Sequence, residues 1–213
     1  MAPGTITGAV LGGGRSRRLG RDKASLPLNG RPLACWVATV ISPLVEECWL
    51  ITNQPLSHLC LGLPLLTDLV PGRGALGGLL TAMLVARGSH VLLSACDTPF
   101  LRPALLTAML DQAGQGSLDA VVCRSSRGLE PLPGVFNCRI LSRVQTQLQS
   151  GDLRLRTLLA DCRTRVLPPE EVALYDAGEL SFFNINTGEE AAQAAVLLAS
   201  GSKLARNELC QQA

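Results

Sequence analysis

The chain has 213 residues, of which 47% are apolar and 17% charged, enough for one sizeable core and the balance of an ordinary soluble globular domain. A formal net charge of +2 argues against a protein built to coat nucleic acid, and the cationic residues gather instead at 15–23 and near 154–165. No membrane span is expected, because the apolar stretch "GALGGLLTAMLVA" stops at Arg87, and no basic segment precedes the first apolar run as a signal peptide requires.

Eight cysteines (35, 48, 60, 96, 123, 138, 162 and 210) are spread without a C-x-x-C pair or a histidine at ligand spacing. That pattern argues against zinc and predicts reduced thiols in a cytoplasmic protein. Several lie in apolar runs, where a free cysteine behaves as a small buried hydrophobe.

Short apolar runs alternate with helical periodicity, which predicts an α/β fold with a largely parallel sheet. Ile6 to Leu11 reads as the first buried strand, and the recurrence of Leu33, Trp36, Val37, Val40, Ile41 and Leu44 as a helix. "CWLIT" and "PLLTD" are the next strands, 75–86 a helix, and "HVLLSACD" a strand stopped by Thr98-Pro99. A helix near 102–113 and a strand at "DAVVCR" follow. Beyond Gly128 the order is less regular, with a strand at "LPGVFN", a helix around 139–149 and the basic run "RLRTLLADCRTRV". This last third reads as an appendage to the sheet. "SFFNINTGEEAAQAAVLLA" predicts a short strand and a helix, with Thr187 and Glu190 at capping-box spacing.

Chemistry concentrates behind the first strand. "LGGGRSRRLGRDKASL" carries three adjacent glycines, four arginines and a lysine. Glycines let the backbone approach anionic oxygens and the cations match phosphate, so a polyphosphate ligand is expected. The loop is neither of two familiar phosphate loops: Arg17 stands where the dinucleotide fingerprint needs glycine, and Arg21-Asp22 where a Walker A loop needs Lys-Ser or Lys-Thr.

In an open parallel sheet ligands bind beyond the carboxyl ends of the strands. Strand order alone therefore collects the glycine loop, Thr52-Asn53, Asp68 and Asp97 on one rim. Asp97 reads either as a cap for the following helix or as a ligand for a hard divalent ion. Asp68 before Leu-Val-Pro-Gly and Asn53 before Gln-Pro also read as turn residues. Asn184 and Asn186 read as strand and helix termini. His58 and His90 have no partner legible in the sequence, and no role is assigned to either.

The segment "VLGGGRSRRLGRDKASLPLNGRPL" resembles the opening motif of the molybdenum cofactor guanylyltransferases, L-A-G-G-x-S-x-R-M-G-x-D-K-A. "TDLVPGRGALGGLLTAM", "SACDTPFL" and "FFNINTGEE" resemble three further segments of that family in the same order. Gly12 stands where the family carries alanine, and Ala75 and Gly188 where it carries proline. The resemblance implies a single-domain, three-layer, Rossmann-like nucleotidyltransferase fold over 1–213, with about 1–125 on the nucleotide side and about 126–213 on the molybdopterin side. It implies transfer of GMP from GTP to molybdenum-bearing molybdopterin, with release of pyrophosphate.

In that reading Arg17 and Lys23 hold the triphosphate and Asp97 holds Mg²⁺. Leu11, Gly12 and Gly13 present backbone to guanine and ribose, with side-chain contacts from Asn53 and Asp68. Asn184 and Asn186 match the asparagines that line the pterin site. Arg154 or Arg156 reads either as a receiver of the pterin phosphate or as part of a solvated basic face. Partners would be GTP, the pterin, cofactor-biosynthesis proteins and acceptor molybdoenzymes or their chaperones. A CTP-dependent or sugar-directed transferase of the same fold is the nearest alternative, and a cofactor-carrying nucleotide-binding module the non-enzymatic one.

Overall fold

The computed structural model describes residues 5–12 and 22–210, with side chains to position 200. In chain order the elements are β1 (Ile6–Leu11), β2 (Pro27–Leu28), β3 (Arg31–Pro32), α1 (Leu33–Ile41), β4 (Glu47–Thr52), α2 (Pro55–His58), β5 (Leu65–Thr67), α3 (Gly74–Val85) and β6 (His90–Ala95). There follow α4 (Pro103–Gly114), β7 (Ala120–Ser125), β8 (Gly128–Asn137), α5 (Leu141–Ser150), α6 (Leu155–Ala160), β9 (Thr164–Leu167), α7 (Pro169–Val172) and α8 (Gly188–Cys210).

A seven-stranded sheet runs in the order β5-β4-β1-β6-β8-β7-β9. Only β8 is antiparallel to its neighbours, so the sheet is mostly parallel. Parallel strands covered on both faces read as unbroken apolar runs, and β1 accordingly buries Ile6 to Val10 in succession. Alternate side chains serve opposite faces. Leu92 packs with α1, α4 and α7 on one side, while Val91 and Leu93 pack with α3, α5 and α6 on the other. Three layers result, helices over sheet over helices.

The helix α1 buries Leu33, Ala34, Val37, Ala38 and Ile41, the stripe expected of a helix with one face inward. Its N-terminus is preceded by a tight hairpin, β2 with β3, turned by Asn29 and Gly30 with φ of 50° and 78°. The left-handed backbone of both turn residues is what Asn-Gly supplies. Against this hairpin a separate cluster of Leu28, Leu33, Ile185 and Ala194 seats the start of α8. Phe100 and Phe183 meet edge to face beside it, 5.8 Å apart.

Two expectations need correction. The segment expected as a short strand before α8 is a 3-10 turn over Leu180–Phe182 followed by irregular chain. Residues 128–137 are not an appendage, because β8 lies inside the sheet between β6 and β7. Its prolines, Pro131 and Pro133, fall where the β7 register slips between Val121 and Cys123. A bulge of this kind tolerates residues that cannot donate to the ladder.

Candidate active site

Register brings the rim together. Leu11 pairs with Ile51 on one side and with Ala95 on the other, and Thr52 with Thr67. The residues just beyond, Gly12, Asn53, Asp68 and Cys96-Asp97, therefore leave the sheet at nearly one level. The connection from β1 crosses one face through α1 to β4, and the return to β6 crosses the other through α3. The chain thus reverses direction across the sheet between β1 and β6, and a crevice opens at such a point.

Lys23 and Asp97 meet in that crevice. Lys23 Nζ donates to Asp97 Oδ2 at 2.6 Å and to Asn186 Oδ1 at 2.5 Å. The Lys23 and Asp97 side chains are only 15% and 13% exposed, so the pair is better shielded than the surface pairs that contribute roughly 0–1 kcal/mol. The other carboxylate oxygen, Asp97 Oδ1, is buried and has no hydrogen-bond partner among the described residues. An unpaired buried carboxylate oxygen carries a desolvation cost of about 1–3 kcal/mol, and a cation is the partner that relieves it.

The capping reading of Asp97 does not hold. The helix α4 begins at Pro103 with Arg102 as its cap residue and no side-chain cap. Asp97 instead closes the end of β6, where burial, with Asp97 and Asp22 nearby, pushes the neighbouring Cys96 thiol strongly up.

Asn186 is fixed from behind. Glu190 Oε2 accepts from the Asn186 amide at 2.6 Å and the Thr187 amide at 2.9 Å, while the Glu190 amide donates to Thr187 Oγ1 at 3.2 Å. This is the capping box expected at the start of α8. The Asn186 amide, outweighing burial and helped by Thr187 and Lys23, holds the Glu190 carboxyl below the usual carboxylate range. Next to it, the Ile185 amide donates to the Asp97 carbonyl at 3.0 Å. The C-terminal segment and Lys23 are therefore joined just past the end of β6.

The remaining expected residues are distributed unevenly. Asn53 is exposed just past β4. Asp68, 8% exposed, accepts through Oδ1 from the Val70 amide at 3.1 Å and from Thr81 Oγ1 at 3.0 Å, which gives it the turn role as well as a rim position. The Gly12 amide is already engaged, donating to the Ile51 carbonyl at 2.8 Å, and the Leu11 carbonyl accepts from the Cys96 amide at 3.1 Å. Asn184, half-buried, reaches the Phe182 carbonyl at 3.4 Å.

Arg154 lies outside this group of contacts. Its Nε and Nη2 are held by Asp152 at 2.9 and 2.8 Å, and it is 78% exposed. Arg156 donates to the Leu129 carbonyl at 2.8 Å. Gly13 and Arg17, with Arg15, Arg18 and Arg21, lie outside the described residues.

One contact had no counterpart in the sequence reading. His58 Nε2 lies 2.6 Å from Asp22 Oδ2, across 36 positions. A histidine with no neighbour in sequence gives no sign of such a partner.

Residues 8–166 match the MobA-like NTP transferase domain. The chain is 32% identical over 197 residues to the molybdenum cofactor guanylyltransferase of Desulfosudis oleivorans, covering 92% of this chain and 97% of that protein. It is 36% identical over 199 residues to the molybdenum cofactor guanylyltransferase of Cereibacter sphaeroides, covering 91% and 97%. Among solved structures, the molybdopterin-guanine dinucleotide biosynthesis protein A of Archaeoglobus fulgidus superposes with a TM-score of 0.80 at 24% identity, over 91% of this chain and 99% of that one. At that identity the superposition speaks for the fold.

Proposed function

We infer that this chain, which belongs to the family of MobA-like NTP transferases, transfers GMP from GTP to the terminal phosphate of molybdenum-bearing molybdopterin. An oxygen of the acceptor phosphate bonds to the α-phosphorus, the bond from that phosphorus to the oxygen bridging to the β-phosphate breaks, and pyrophosphate leaves. Such a reaction needs little covalent help from protein, and alignment and charge neutralisation carry it. The single observation behind the reading is the Lys23–Asp97–Asn186 arrangement at the end of β6.

Each residue has a task. Lys23, with Arg17 of the basic loop, holds the triphosphate and neutralises charge that accumulates on departing pyrophosphate. Asp97 and Lys23 neutralise each other before substrate arrives. With nucleotide bound, Lys23 would turn to phosphate and Asp97 would be free to hold a cation. Asn186, fixed by Glu190, keeps the ammonium in line during that exchange. Asn53 and Asp68 face the nucleoside. Leu11, Gly12 and Gly13 are assigned to the base.

A divalent metal suits this site, and we assign Mg²⁺ to it. Its observed basis is the buried, unpartnered Asp97 Oδ1. No group of three or more metal-binding side chains exists among the described residues, which fits an ion held by one carboxylate and by substrate phosphates. Bound there, the metal would supply Lewis-acid stabilisation of phosphate charge.

The acceptor side is assigned to the C-terminal part, about 126–213, with Asn184, Asn186 and Arg154 toward the pterin and its phosphate. No helix among the described residues is long and apolar enough to cross a membrane, and Cys35, Cys48, Cys60, Cys96, Cys123, Cys138 and Cys162 are free. We place its work in the cytoplasm, beside the cofactor-biosynthesis proteins and molybdoenzymes or chaperones that would receive the product.

Pyrophosphate release with GTP, CTP and ATP in turn, each with Mg²⁺ and molybdopterin, tests the assignment. Release with GTP alone is expected. Equal release with CTP would move the chain to the cytidylyl-directed alternative, and binding without release would make it a carrier.

A further inference from the structure

The contact between His58 and Asp22 lies beside the catalytic group without belonging to it. His58 ends α2, the short helix behind β4, and is 1% exposed. A carboxylate only accepts, so His58 donates from Nε2 to Asp22 Oδ2 at 2.6 Å. The same oxygen accepts from the Ser25 amide at 3.0 Å. Asp22 is thereby gripped from two directions, by the helix behind β4 and by the turn that follows it.

Two observations separate this from ordinary packing. The second ring nitrogen, Nδ1, is buried without a hydrogen-bond partner among the described residues. A leucine or phenylalanine would fill the same volume without that cost, so the residue is present for what Nε2 holds. Asp22, in turn, directly precedes Lys23, whose ammonium must meet Asp97 and Asn186 together. A change in the backbone at residue 22 is passed straight to the Cα of Lys23, and a long flexible side chain is aimed only as well as its Cα is placed.

We propose that His58 is a positioning residue: by holding Asp22 it sets the direction in which Lys23 enters the crevice, and so the grip on the triphosphate. The claim rests on Lys23 as a triphosphate ligand. It couples α2, beside the nucleoside side of the rim, to the phosphate side through one hydrogen bond.

GTP binding by isothermal titration calorimetry, together with KM for each substrate and kcat, tests it. His58→Phe fills the volume and donates nothing; it weakens GTP about tenfold, and KM for molybdopterin stays unchanged. His58→Gln, whose side-chain amide can donate to Asp22, recovers most of the loss. Adding Asp22→Asn to His58→Phe brings no further loss, because the two act through the same bond. Unchanged GTP affinity in a folded His58→Phe protein overturns the proposal, as does a glutamine variant no better than phenylalanine. If His58→Phe does not fold, Asp22→Leu removes the same bond from its other end together with the one from the Ser25 amide and is expected to lose at least tenfold; unchanged affinity there overturns the proposal equally. Lys23→Ala separates the failures. If it weakens GTP binding and the His58 and Asp22 variants do not, the positioning claim alone falls; if it also has no effect, the triphosphate reading falls with it.

Discussion

Lys23 and Asp97 stand 2.6 Å apart although 74 positions separate them in sequence. The pair exists because β1 and β6 are parallel neighbours whose ends are level, Leu11 opposite Ala95. A charge pair made this way satisfies each partner until a ligand of opposite sign replaces the other. It holds both groups within a shielded crevice, ready for a phosphate and a cation.

Asp97→Asn should leave the fold intact, since Lys23 keeps Asn186 as an acceptor. Turnover should fall about 10²- to 10³-fold, the scale of a lost charge-stabilising group, while GTP affinity in the absence of divalent metal changes little. Steady-state turnover measured beside metal-free GTP binding checks both halves. Wild-type turnover in the variant would remove Asp97 from the mechanism.

Glu190→Ala removes half of the capping box and frees Asn186. A cost of about 1 kcal/mol to stability is expected from the lost cap, accompanied by a lower kcat because Lys23 loses a fixed acceptor. The Glu190 carboxyl is held below its usual range in the folded state, so its contribution is present above that range and disappears as pH falls through it. Urea midpoints at pH 7 and pH 4 should differ more for the wild type than for the variant.

Asp119 is the main polar anchor far from the crevice. It accepts from Arg139 Nε at 2.6 Å and from the Arg163 amide at 2.9 Å, with Arg143 at 3.4 Å. Burial opposes its ionisation, but the Arg163 amide and the Arg139 and Arg163 guanidinium groups prevail and take the carboxyl from 3.8 to about 2. A lowered folded-state value stabilises the protein above pH 3.8, and that stability is lost as pH falls from there toward 2. Asp119→Asn should cost about 2–3 kcal/mol at pH 7 and flatten the acid limb of the stability curve. An unchanged acid limb would contradict this.

Gly12, which stands where the related family carries alanine, has a local cause. A Cβ there would lie 2.8 Å from Leu50 Cδ1, and Leu50 is almost fully buried. Gly12→Ala should cost about 1–2 kcal/mol by overpacking, and Leu50→Val in the same chain should return part of it. Thermal denaturation of the single and double variants decides the matter.

The strands that carry the site were legible because burial on both faces makes them apolar throughout, as in β1 and β6. Rim positions followed from strand direction, and the Thr187–Glu190 cap from local spacing. What escaped was set by distant partners. β8 carries two prolines, and its place between β6 and β7 depends on a bulge that no local pattern announces. "SFFNIN" has a strand-like composition but passes between β6 and α8 with no strand to pair with. The turn of β2 and β3 has its signal in Asn29-Gly30, a dipeptide that supplies left-handed backbone at both turn positions. His58 and Asp22, 36 positions apart, could be joined only by the fold.

The most direct measurement is mass spectrometry of the pterin product after the protein has acted on molybdenum-bearing molybdopterin with GTP and Mg²⁺. The account predicts a product heavier by one GMP moiety, one pyrophosphate released for each, and both formed about 10²- to 10³-fold more slowly when Asp97→Asn replaces the wild type. A pterin recovered unchanged, or one that gains CMP from an equal mixture of CTP and GTP, would contradict it.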